Sequence, residues 1–144
     1  MGKLTSLWNS IAGVTEVEEA IIDAICATVL FDDEITDDEL GYAIGFVEGM
    51  TDIDENKAAS LVDAGFERVR GMDVDDVIHL IVDRLPKREQ RHVAFLASVG
   101  ASHVGGGFFS WGEEDFLAAL ADEMGLTQDE MERLEKKADD LLEH

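Results

Sequence analysis

Apolar residues recur at helical spacing along most of this chain. Val17, Ile21, Ile25 and Val29 fall every four residues, flanked by Ile22, Cys26 and Leu30. Leu40, Ala43, Ile44 and Val47 continue the pattern, and Ala58, Leu61, Val62, Gly65, Phe66 and Val69 follow. Next come Val74, Val77, Ile78, Ile81 and Leu85, then Val93, Leu96, Val99 and Gly100. Phe116, Leu117, Leu120 and Met124 form a sixth stripe, and Met131, Leu134, Ala138 and Leu141 a seventh. No segment alternates as a half-buried strand does. The spacing predicts helices over 16–31, 37–50, 55–70, 74–84, 87–103, 112–124 and 128–141, with an eighth, short one at Leu4–Ile11. The fold class is all-α.

Start signals agree with these bounds. Ser or Thr followed three residues later by Glu occurs at Thr15/Glu18, Thr36/Glu39, Ser110/Glu113 and Thr127/Glu130. In such a capping box the hydroxyl accepts from a first-turn amide while the Glu reaches back to the cap amide. Each box opens an apolar-periodic stretch. Pro86, the only proline, is expected in the first turn of the helix that follows it. Ile35 and Phe109 stand at the staple position just before their caps.

Sliding the chain by 74 residues aligns it with itself without gaps: Ala20-Ile21-Ile22 lies over Ala94-Phe95-Leu96. Ile25, Ala27 and Thr28 then meet Val99, Ala101 and Ser102, and Glu39, Tyr42 and Met50 meet Glu113, Phe116 and Met124. Each copy reads as helix, short loop, capping box, helix. The expectation is a single domain over residues 1–144, a bundle of seven to eight helices in which two such hairpins share one core. The terminal Leu142-Glu143-His144 matches the start of a vector-encoded histidine tag, so His144 carries no functional weight.

Charge narrows the function. Eleven basic residues against thirty-three acidic ones give −22 at pH 7. Nucleic-acid binding needs the opposite balance, since cations must displace the counterions of phosphates. No apolar run approaches a membrane span, and no signal-peptide pattern opens the chain, so a cytoplasmic location is expected. The single Cys26, on the apolar stripe, leaves no internal disulfide or Cys-rich zinc site and reads as a buried small hydrophobe. His79, His92 and His103 are singles on helices and read as surface or satisfied residues. No nucleophile–base pair is visible, so no enzymatic activity is expected.

The loops of the two hairpins differ. The first, Phe31 to Glu39, carries six carboxylates in nine residues. The second, Gly105 to Glu113, is rich in glycine and aromatic residues and reads as a tight turn, since neither a strand nor a phosphate-binding Lys flanks it. Hard cations such as Ca²⁺ or Mg²⁺ take several oxygen ligands, so the acids of the first loop, Asp32, Asp33 and Glu39 among them, are candidate ligands of a divalent cation. The alternative for Asp37, Asp38 and Glu39 is dipole complementation and capping. Charge is also segregated. Asp32–Glu55 holds ten acids and no Lys or Arg, Val93–Glu132 holds eight acids and no base, and Asn56–His92 balances seven of each. One-signed hairpins suit docking of a basic protein partner by long-range attraction; solubility alone is the plainer account.

The segment Asp32-Asp33-Glu34-Ile35-Thr36-x-x-Glu39 resembles the loop of TerB-like tellurite-resistance proteins, which show Ala-Asp-Gly-x-Ile-Ser-x-x-Glu in each half of an all-helical domain. The second copy, Gly107-Phe108-Phe109-Ser110-x-x-Glu113, is similar to the family's second half, and the resemblance spans about residues 16–135. It implies a seven- or eight-helix bundle with a non-enzymatic role in bacterial stress or metal-oxyanion resistance, and divalent metal binding by loop acids. Asp32 and Glu39 match the first motif's acids and Glu113 the second motif's Glu, whereas Asp33 replaces a glycine and Gly106 replaces the second Asp.

Overall fold

A computed structural model describes residues 15–30, 35–51, 53–104 and 111–142. Seven helices follow one another in the described residues, with no strand among them: α1 Glu16–Leu30, α2 Asp37–Thr51, α3 Glu55–Val69, α4 Val74–Val82, α5 Arg88–Val104, α6 Trp111–Met124 and α7 Gln128–Leu142. Every bound falls within two residues of the predicted one. The short helix expected at Leu4–Ile11 lies outside the described residues.

The caps explain this agreement. Thr15, Thr36 and Thr127 each accept from the amide of their Glu partner three residues on, at 3.1–3.2 Å. In return Glu18, Glu39 and Glu130 accept from the threonine amides at 2.9 Å. These bonds satisfy amides that would otherwise have no partner in the first turn. The Ser110/Glu113 box and Phe109 lie outside the described groups. Two details differ from expectation. Pro86 stands outside the helix, because Lys87 is the cap and its amide donates to Gln90 Oε1 at 3.0 Å. Ile35 is exposed rather than pinned against its helix. After α6, Gly125 at φ +74° reverses the chain, and the amide of Leu126 returns to the Ala121 carbonyl at 3.0 Å. A left-handed residue of this kind favours glycine.

α1 is the middle of the molecule. Its sequence suggests an amphipathic stripe, yet all ten residues from Ala20 to Val29 are buried. α2, α3, α4, α5 and α6 all pack against it, so a helix apolar on most of its circumference finds partners on every side. α5 is its main neighbour and carries α7 on another face. Phe95, Phe116, Ile22, Ile25, Ile81, Leu85, Leu120 and Met124 fill the core between them. Two glycines allow close approach: a Cβ on Gly65 would press on Cys26 and Ile22, and one on Gly100 would run into the Tyr42 phenol. α2 is different. It buries only Glu39, Ala43 and Val47, and Gly41, Gly45 and Gly49 run along its exposed side with nothing near them.

Candidate functional site

Of the four candidate metal ligands, only Glu39 has a described side chain. Asp32 and Asp33 lie outside the described residues, as does the side chain of Glu113. Glu39 is fully buried at the start of α2. Its Oε1 accepts from both the amide and the hydroxyl of Thr36, at 2.9 and 3.0 Å. That oxygen is committed to the cap. Asp37 and Asp38, beside it in the first turn, are exposed and complement the positive end of the helix. Among the described residues, no group of three or more His, Cys, Asp and Glu side chains is placed to hold a metal ion.

The charged groups that the fold does bring together are ionic joints between helices. Asp23 of α1 is completely buried. Arg68 of α3 donates to its Oδ1 through Nη2 at 2.7 Å and through Nε at 3.0 Å. Arg84, just past α4, donates to Oδ2 at 2.5 Å and to Glu19 Oε1 at 3.0 Å. Burial opposes the Arg68 charge, but its hydrogen bond to Asp23 and the nearby carboxylates outweigh it and hold the guanidinium above its ordinary pKa. Two guanidinium forks thus tie α1 to the α3 and α4 ends.

The second joint closes on Glu130 of α7. Arg88 grips both of its oxygens, with Nε 2.8 Å from Oε2 and Nη2 on Oε1. His92 Nε2 lies 2.6 Å from Oε2. The Arg88 bonds, the Thr127 amide and His92 hold the Glu130 carboxyl well below the usual carboxylate range. Arg91 completes the set by donating to the Leu85 and Met124 carbonyls at 2.7 and 3.0 Å. A carboxyl with a lowered folded pKa stabilises the fold above its unfolded value, and that contribution is lost as pH falls through the folded value. Acid melts should therefore separate wild type from Glu130→Gln. The wild type is expected to lose part of its Tm advantage from about pH 4.5 downward, while the variant starts lower and shows a shallower decline. Parallel curves for the two proteins would remove Glu130 from this role.

Cys26 donates to the Val62 carbonyl at 3.5 Å, and burial, followed by the Asp23 charge, pushes its thiol far up. It is a packed core residue, as its place on the stripe suggested. His79 is exposed, 3.5 Å from Glu123. No family model, curated protein or solved structure matches the chain.

The joints change the meaning of the charge map. By sequence, residues 56–92 look like a neutral middle. In the fold, Arg68, Arg84, Arg88 and Arg91 turn toward internal partners. No Lys or Arg pairs with Asp37, Asp38 or Glu48 of α2 among the described residues. The sequence reading missed Asp23 and Glu130 as buried ions. The signal for Asp23 was present as a lone acid inside an otherwise apolar run, because a buried charge requires a partner.

Proposed function

We propose that this chain is a non-enzymatic, TerB-like helical domain of a bacterial stress response that works as an acidic docking module for a basic protein partner. One observation carries the reading: Arg68, Arg84, Arg88 and Arg91 serve joints between helices, so among the described residues Asp37, Asp38 and Glu48 of α2 have no Lys or Arg partner and keep their charge for something outside. The pairing of α1 with α5, the first helices of the two hairpins, supports the duplicated architecture that the resemblance implies. Equivalent residues of the two, Ala20 and Ala94, Ile25 and Val99, Thr28 and Ser102, are buried alike.

A labelled Lys/Arg peptide is the probe. Binding measured by anisotropy at low salt is expected to weaken about tenfold in Asp37→Asn/Asp38→Asn/Glu48→Gln, on the scale of several rim charges acting together. A control removing three exposed acids elsewhere, Asp115→Asn/Asp122→Asn/Glu132→Gln, should weaken it far less. Equal losses in both variants would reduce the effect to net charge and sink the docking reading.

A divalent cation at the 32–39 loop is the second reading, favoured by the six carboxylates there. Since Glu39 Oε1 serves the cap, the cation would rest chiefly on the acids before it. Asp32→Asn/Asp33→Asn is the variant that leaves the cap intact. A saturable rise in Tm with Ca²⁺ or Mg²⁺ that this variant abolishes would support the site. A rise reproduced by monovalent salt alone would dismiss it.

A further inference from the structure

A surface cavity of about 200 Å³ lies between the C-terminal ends of α1 and α3 and the first turn of α4, lined by Ala27, Leu30, Val69, Arg70, Gly71, Met72 and Val77. Its floor is apolar and buried at Ala27, Val69 and Val77, and it reaches solvent along Leu30, Gly71 and Met72. Val74, one turn before Val77 on α4, is among the few large apolar residues left exposed in the described part of the chain.

Size and charge together restrict what fits. Small-molecule sites span about 300–1,000 Å³, and this cavity is below that range. An engineered apolar cavity of about 150 Å³ in another protein admits benzene, so one aliphatic or aromatic side chain is the matching guest. The surroundings favour a guest carried by cations. Two helices end here, at Leu30 and Val69, and α1 has no basic residue in its last turn to offset its negative end. Asp73, Asp75 and Asp76 are exposed just beyond the rim. The one cation of the lining, Arg70, is already paired with Glu67 at 3.0 Å, and Arg68 faces Asp23.

We propose that this cavity is an anchor pocket in which the basic partner inserts one Leu- or Phe-sized side chain flanked by Lys or Arg. The proposal rests on the docking function above and names the feature of the partner that net charge alone would not select. It is tested with two labelled peptides, Lys-Arg-Phe-Arg-Lys and Lys-Arg-Ser-Arg-Lys, at moderate salt. The Phe peptide is expected to bind about tenfold tighter, the scale of burying one such side chain, and to shift the Met72 methyl resonance in the wild-type protein. Filling the cavity with Ala27→Leu, or blocking its rim with Leu30→Trp should one of them fold poorly, should bring the Phe peptide down to the affinity of the Ser peptide.

The ways of failing are distinct. Equal binding of the two peptides would overturn the anchor and leave acidic docking standing. No binding of either at low salt would overturn both. A Met72 shift that grows with protein concentration alone would give the cavity to a second copy of the chain. A shift by benzylamine at the Phe peptide's affinity would make it a small-molecule site. Either of these last results overturns the proposal.

Discussion

Asp23→Ala is expected to lower stability by about 3–5 kcal/mol, the cost of breaking a buried ion pair by removing one partner. For a chain of this length that corresponds to a fall in Tm of roughly 10–20 °C. The reason lies in what is left behind. The Asp23 carboxylate is fully buried and receives both guanidinium groups, so its loss strands Arg84, whose side chain is only 15% exposed, with Glu19 as its remaining acid. Arg68 is 32% exposed and recovers part of its hydration, which limits its share of the cost. Glu19 is partly solvated, accepting from Arg84 at 3.0 Å and reaching Arg68 only at 3.9 Å, so it offsets only part of the loss. Replacing all three partners together, Asp23→Leu/Arg68→Met/Arg84→Met, is expected to recover most of the loss, because no charge is then abandoned inside. A thermal melt of Asp23→Ala within 2–3 °C of wild type, less than about 1 kcal/mol, would show that the joint contributes no net stability.

Gly100→Ala is the second substitution expected to act strongly, and it runs against helix propensity. In an exposed helix, alanine for glycine gains about 1 kcal/mol. At position 100 the added methyl would occupy the place of the Tyr42 phenol, whose hydroxyl donates to the Ala97 carbonyl at 3.0 Å. Tyr42 must then leave, and overpacking of this kind costs about 1–3 kcal/mol. The chain has one tyrosine, so the effect has its own optical reporter. Burial pushes the Tyr42 hydroxyl up to about 12. A raised phenol pKa means that the folded state favours the neutral form, and the resulting stability is lost as pH rises from about 10 toward 12. In Gly100→Ala the phenolate absorbance should appear at lower pH, nearer the ordinary value of about 10. Tyr42→Leu should cost less in the Gly100→Ala background than alone, a coupling a double-mutant cycle measures directly. Additive costs, with an unmoved absorbance titration, would mean the two positions do not touch.

The sequence and the fold agree best where structure is local. Helix bounds were legible because α1, α2 and α7 open on Thr-x-x-Glu boxes that cap their own first turns, a property contained within four residues. The centre of the molecule was half legible: the apolar residues flanking the α1 stripe hinted at burial on all sides, but only the neighbouring helices make that burial real. The ionic joints were not legible. Asp23 finds its partners 45 and 61 residues away, and Glu130 finds Arg88 and His92 42 and 38 residues away. No pattern of spacing encodes such meetings; they depend on how the helices cross. For the same reason the balanced count over residues 56–92 did not reveal that four of its arginines are engaged by partners on other helices or at helix ends. Of the candidate ligands, Glu39 was legible as a cap, and the fold gives it that part.

The bare glycine edge of α2 has a consequence for how the molecule breathes. Three residues of high backbone entropy in one helix, anchored by few buried side chains, set a low threshold for fraying. Amide protons there should trade with solvent through brief local openings, while those of α1 and α5 wait for the whole fold to come apart. The segment carrying Asp37, Asp38 and Glu48 is thereby the one expected to open first, while Ala43 and Val47 tie its return to the interior.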